Sequence, residues 1–243
     1  NTKTAAQTLT ATLSAAAAGT DIVYVSVNAG SSWVDKTAGM TGADPDVSLS
    51  TSITLSGSSS IQIKVTDAAG NDGATASTSY TLDQTAPTIS FASVDISADT
   101  GTSAADFNTK TAAQTLTGTL SAAMASDDIL KVSVDAGSSW DDVTSDVTGT
   151  PDTALSTAIT LSGTSAIHLQ ITDDAGNAGT ADTTSYTLDT AAPTLTITIA
   201  SNNANTAQAK SGDVVTLTLE PSETLQGNPA CTIDGEAGTA SAS

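Results

Sequence analysis

Aromatic side chains make up only 3% of this 243-residue chain. With Ala, Ser, Thr and Gly dominating, apolar burial per residue is small, and marginal stability is the expected problem. Cys231 is the single cysteine, so no disulfide can form within the chain, and a metal ion is the remaining common staple. Arginine is missing altogether. The 6 basic residues are all lysine, set against 26 acidic ones for a net charge of −20, which argues against nucleic acid as a partner. There is no long apolar run, signal peptide or lipidation motif. Membrane insertion is therefore not expected in this segment, and any targeting signal would lie outside it.

What the chain has in abundance is aspartate and repetition. Only Glu220, Glu223 and Glu236 are glutamate, leaving 26 − 3 = 23 aspartates, which favour turns and offer short, rigid oxygen ligands. The first ten residues, NTKTAAQTLT, recur letter for letter at 108–117, so the units begin 108 − 1 = 107 residues apart. AGSSW at 29–33 returns at 136–140, and SYTLD at 79–83 returns at 185–189, the latter at an offset of 106 after one deletion. Tandem near-copies on this scale mark a chain that works by length and multiplicity, each unit a module with its own core.

Short segments rich in Val, Ile, Thr and Leu, separated by Gly, Asp, Ser and Asn, predict an all-β chain without amphipathic helices. In the second unit the expected strands are 88–94 (A), 113–120 (B), 129–134 (C), 140–143, 158–161 (E), 167–172 (F) and 183–188 (G). Seven short strands in about a hundred residues read as a Greek-key β-sandwich. Alternation puts Ile167, Leu169 and Ile171 inward with His168 and Gln170 outward, and Leu130, Val132 and Val134 inward with Lys131 and Ser133 outward. The boundaries fall at TAPT (85–88) and AAPT (191–194), because proline suits the first residue of a strand. The expected organisation is a unit at 1–84 lacking its first strand, a complete unit at 87–190, and at 193–243 the opening of a third domain of a different subtype.

The motifs TDAAGN (66–71), TDDAGN (172–177), TLDQTAPT, TLDTAAPT and DTGTSAADF (99–107) resemble the bacterial immunoglobulin-like repeats of giant RTX-type and biofilm adhesins. The resemblance implies tandem immunoglobulin-like sandwiches forming an extracellular, cell-surface stalk in cell adhesion, with joints between domains stiffened by Ca²⁺. Topology points the same way. In such a sandwich the F-G loop and the start of strand A lie at one end, and the A-B loop and the end of strand G at the other. A short linker then sets Asp83 near Asp173, Asp174 and Asn177 at the first joint, and groups Asp99 and Asp106 with linker residue Asp189 at the second. Asp67 and Asn71 are the counterpart F-G loop of the first unit. Ca²⁺ needs six to eight oxygens, which carboxylates and backbone carbonyls supply. Each Asp-Xaa-Ala-Gly-Asn loop also reads as a plain hairpin turn in which Asp and Asn cap backbone amides.

Other residues point less far. Trp33 and Trp140, each after Gly-Ser-Ser, could stack on a sugar, but packing in a thin core or at a sheet edge is favoured. His168 is the single histidine and is matched by Gln62, which argues against catalysis. The pairs Asp127/Asp128 and Asp141/Asp142 sit at strand ends as solvated turns. The expectation is a non-enzymatic extender whose partners are neighbouring domains of the same chain. The alternative is a subunit of a surface layer, sheath or filament that self-associates through the open edge of the first unit.

Overall fold

The computed structural model describes residues 1–41, 47–224, 231–233 and 236–238. It divides into two compact bodies, Asn1–Asp189 and Thr190–Ser243. The first holds both repeats. Repeat one contains β1 (Ala6–Thr12), β2 (Ile22–Ser26), β3 (Val34–Asp35), β4 (Met40–Thr41), β5 (Ser48–Thr54), β6 (Ser58–Thr66) and β7 (Ala76–Thr81). Repeat two contains β8 (Phe91–Ile96), β9 (Asn108–Thr109), β10 (Ala113–Leu120), β11 (Ile129–Ser133), β12 (Asp141–Asp142), β13 (Val147–Gly149), β14 (Asp152–Thr160), β15 (Thr164–Thr172) and β16 (Asp182–Leu188).

Repeat two is a sandwich of two sheets, ordered β13-β14-β10-β8 and β12-β11-β15-β16-β9. The predicted strands A, B and E fall in the first sheet and C, F and G in the second. Buried side chains from both sheets, among them Leu116, Leu120 and Leu155 from one and Leu130, Leu169 and Tyr186 from the other, form one core. Repeat one reproduces this plan as β1-β5-β4 over β3-β2-β6-β7. Its β1 pairs with β5, whereas the counterpart β10 pairs with both β14 and β8. Without a strand equivalent to β8, the core of repeat one is thinner. Leu9 and Tyr80 are half-buried there, while their counterparts Leu116 and Tyr186 are 0% and 2% exposed.

Short polar hinges close each sandwich. The Tyr186 hydroxyl donates to the Val134 carbonyl at 2.7 Å, and the Tyr80 hydroxyl does the same to Val27 at 2.7 Å. Ser133, expected to face outward, is buried at 2% exposure. Its hydroxyl donates to Asp135 Oδ1 at 2.7 Å and accepts from Gly137 N–H at 2.8 Å, so it anchors the turn after β11. Strand period alone cannot distinguish such an anchor from a solvated serine.

Strand A begins at Phe91, three residues later than expected, and residues 83–90 lie outside any strand. Strand E begins six residues earlier than expected, at Asp152. Its first half is written in Thr, Ala and Ser, yet Leu155 and Thr157 are buried.

In the second body, β17 (Leu195–Ser201) and β18 (Val215–Pro221) pair as an antiparallel hairpin, as do β19 (Cys231–Ile233) and β20 (Glu236–Gly238). Leu195, Ile197, Ile199 and Val215 of the first hairpin are exposed among the described residues.

Candidate functional site

Residues 173–179, the first part of the 173–181 loop joining β15 to β16, are held by their own sequence. Asp173 Oδ1 accepts Asn177 N–H at 2.7 Å and its Oδ2 accepts the Asn177 side-chain amide at 2.8 Å, while Gly176 takes φ +87° to close the turn. Asn177 in turn holds Asp173 below the usual carboxylate range, chiefly through its side-chain amide. Repeat one repeats the device: Asp67 accepts Asn71 N–H at 2.8 Å and Asn71 Nδ2 at 2.9 Å, with Gly70 at φ +88°. The side chain of Asn71, followed by its backbone amide, lowers the pKa of Asp67.

The two loops differ in what lies against them. The second side-chain hydrogen of Asn177 goes to the Asp83 carbonyl at 2.9 Å, across the joint between the repeats. The Asn1 side-chain amide donates to the Asp174 carboxylate, and the Lys3 ammonium donates to the Gly176 carbonyl. The Lys3 stem lies 3.8–3.9 Å from where a Cβ on Gly176 would sit. Gln84 Nε2 donates to the Lys3 carbonyl at 3.3 Å, tying the linker to the same segment. At Gly179 a Cβ would stand 2.7 Å from the Pro87 carbonyl, so the backbones of loop and linker meet at a place only glycine allows. The structure thus brings Asp83, Asp173, Asp174 and Asn177 to one joint, and adds Asn1 and Lys3, which the sequence reading missed. The signal was present: of the six lysines, Lys3 and Lys110 alone occupy equivalent positions in the two repeats.

The opposite end of repeat two gathers the other expected residues. Asp99 Oδ2 accepts the backbone amides of Asp106 at 3.1 Å and Phe107 at 3.0 Å, and Asp106 Oδ1 accepts Asn108 N–H at 3.0 Å. Phe107 is buried with φ +59°, a strained conformation for a bulky residue. Asp189 N–H donates to the Thr109 carbonyl at 2.9 Å at the same end of the sheet. Asp99 Oδ1 is buried and has no hydrogen-bond partner among the described residues. A buried carboxylate oxygen with no donor is costly, and a cation beside it would relieve that cost. Among the described residues no group of three or more His, Cys, Asp and Glu side chains converges to hold a metal ion. Asp67 and Asn71 satisfy each other within their own turn.

The remaining candidates are structural. Trp140 is half-buried, donates to the Gly137 carbonyl at 3.0 Å and stands 6.1 Å from the His168 ring. Lys64 sits 4.8 Å over the Trp33 ring and forms an ion pair with Asp72 at 2.6 Å. Asp128 caps Ala125 N–H, and Asp142 caps Thr144 N–H. No helix among the described residues is long and apolar enough to cross a membrane.

No protein-family model matches this chain, and no curated protein matches it in sequence. Among solved structures it is similar to part of a 1.5-MDa bacterial ice-binding adhesin described for host cell surface retention. The identity is 17%, covering 80% of this chain and 61% of that one, with a TM-score of 0.31. It is also similar to a tetra-tandem repeat in the extending region of a large adhesion protein. There the identity is 20%, covering 83% of this chain and 55% of that one, with a TM-score of 0.25. This chain spans less than two thirds of the length of either.

Proposed function

We propose that this chain is a non-enzymatic extender segment of a bacterial cell-surface adhesin, a run of immunoglobulin-like sandwiches that holds a distant binding domain away from the cell. The observation that carries this reading is the joint itself. The Asp173–Gly179 loop of repeat two is seated on the Asn1–Lys3 segment and linker of repeat one. End-to-end docking through a short linker converts sandwiches into a rod. Each adds roughly 35–45 Å, from strands rising about 3.3 Å per residue plus loops. Small-angle scattering in solution tests this: a rod gives an extended distance distribution, and a compact particle would sink the reading.

Ca²⁺ belongs to the proposal at the far end of repeat two, where Asp99, Asp106 and Asp189, which do not converge on one point among the described residues, would close on it together with backbone carbonyls and water. The donor chemistry fits a hard cation, and Asp99 Oδ1, buried and unpartnered among the described residues, supports it. Bound there, the ion would neutralise clustered carboxylates and restrict bending. Binding to the folded state alone raises stability by linkage. Millimolar Ca²⁺ is therefore expected to raise the melting temperature of the full chain above its value in EDTA or Mg²⁺, and Asp189→Ala to abolish most of that rise. Equal melting curves in Ca²⁺ and Mg²⁺ would reduce these aspartates to turn caps.

A further inference from the structure

The geometry assigns to the Asn-Thr-Lys segment a docking role: it receives the Asp-Asp-Ala-Gly-Asn loop of a like repeat placed after it, with the lysine ammonium as the resident cation of the joint. At the first joint the partners are in place. Asn1 donates to the Asp174 carboxylate and Lys3 to the Gly176 carbonyl. A carboxylate and a backbone carbonyl are the oxygens a metal would otherwise take. Here an amide and an ammonium satisfy them, with Asn177 spanning to Asp83.

The same receptor is built at the other end of repeat two. Thr2 bridges Leu82 in parallel, and Thr109 bridges Leu188 in parallel. Asp83 N–H donates to the Thr2 carbonyl at 3.0 Å, and Asp189 N–H donates to the Thr109 carbonyl at 2.9 Å. In both segments the threonine turns toward the sandwich and its neighbours turn out: Thr109 is 2% exposed, while Asn108 and Lys110 are exposed like Asn1 and Lys3. The side chains of Asn108 and Lys110 make no hydrogen bond or ion pair among the described residues, and are set to receive a loop as Asn1 and Lys3 do.

The loops are not interchangeable. Repeat one carries Ala68 where repeat two carries Asp174 (174 − 106), so its loop has no carboxylate at the position that Asn1 engages. Position 174 therefore selects which repeat docks firmly on the one before it. This inference rests on the extender reading for its purpose, but its chemistry stands apart from Ca²⁺.

The test uses spin labels on the full chain carrying Cys231→Ser, at Thr10→Cys and Thr117→Cys, exposed equivalents on β1 and β10. In EDTA one narrow inter-label distance is expected. It is lost on Lys3→Gln and on Asp174→Ala, a change that copies the natural residue of repeat one. For Lys110, a second copy of residues 84–189 is inserted after Asp189, with Thr117→Cys in both copies, and Lys110→Gln in the first copy is expected to broaden that distance. Distributions unmoved by either lysine substitution, or narrow in Ca²⁺ alone, would overturn the inference. Scattering on the same samples keeps the two readings apart: a rod with a loose joint defeats the clasp and leaves the extender, whereas a compact particle with a narrow joint does the reverse.

Discussion

Asn28 and Asp135 occupy the same position in the two repeats and do the same work with different charge. Asp135 accepts from the Ser133 hydroxyl at 2.7 Å and from Ser139 N–H at 2.9 Å, and Asn28 Oδ1 accepts from the Ser26 hydroxyl at 2.8 Å and from Ser32 N–H at 2.9 Å. The Ser139 side chain, its backbone amide and the Ser133 hydroxyl together lower the Asp135 pKa from 3.8 to about 2. A carboxyl whose folded value is depressed stabilises the fold above its unfolded value, and that contribution is lost as pH falls from about 3.8 through about 2. Acid titration followed by NMR is therefore expected to loosen the turn after β11 in that window and to leave the Asn28 turn unchanged. Asp135→Asn is expected to abolish the difference. The sequence shows both residues, but not which donors surround them, so the aspartate turns were legible while this asymmetry was not.

The two tyrosine hinges give a second test at this scale. Tyr186 is 2% exposed, and its hydroxyl accepts from Ser162 N–H at 3.2 Å as well as donating to Val134. Removing that hydroxyl leaves a partly buried carbonyl unpaired, so Tyr186→Phe is expected to lower unfolding free energy by about 1–2 kcal/mol. Tyr80→Phe, in the thinner sandwich, is expected to cost less. Chemical denaturation of the two variants compares them directly.

Among the elements, the strands with clean alternation were the ones the sequence located well. β10 spans Ala113–Leu120, as expected, and buries every second residue from Gln114 to Leu120. β14 was found only in its last part, because Asp152–Thr157 is mostly small and polar and carries no alternation of hydrophobicity. Its pairing with β10 over Ala113–Thr119 holds it in the sheet regardless. The short β13 was missed for the same reason, being recruited by β14 rather than by its own pattern. The presence or absence of a neighbouring strand sets the value of an identical side chain. Leu116→Ala, at a position 0% exposed, is expected to cost roughly 2–5 kcal/mol. Leu9→Ala, in the same decapeptide but half-buried on β1, is expected to cost less than about 2 kcal/mol. Equal losses would mean that β8 contributes nothing to the core.

For the molecule as a whole, a net charge of −20 with 6 lysines makes every cation a scarce resource. Two of those lysines stand at equivalent ends of the two repeats, and one of them is already seated in a joint. Divalent cation and lysine substitution are thus expected to act at different places: Ca²⁺ at the Asp99 end of repeat two, Lys3→Gln at the Lys3 clasp. Melting curves in Ca²⁺ combined with inter-label distances in EDTA separate the two effects within one chain.

The sequence by itself determined the repeat, the all-β class, the inward face of β15, and the self-capping Asp-Asn loops. All of these are local: strand period and short-range hydrogen bonding need only neighbouring residues. The tertiary structure decided which groups a joint brings together. Lys3 lies 173 residues from Gly176 and Asn177 lies 94 from Asp83, so no window of sequence contains either contact. It also decided that Asp99 keeps a buried oxygen without a donor among the described residues, while both carboxylate oxygens of Asp173 accept from Asn177. Burial and partnership of a carboxylate follow from how the loops and strands around it close, and that closure is a property of the packed sandwich.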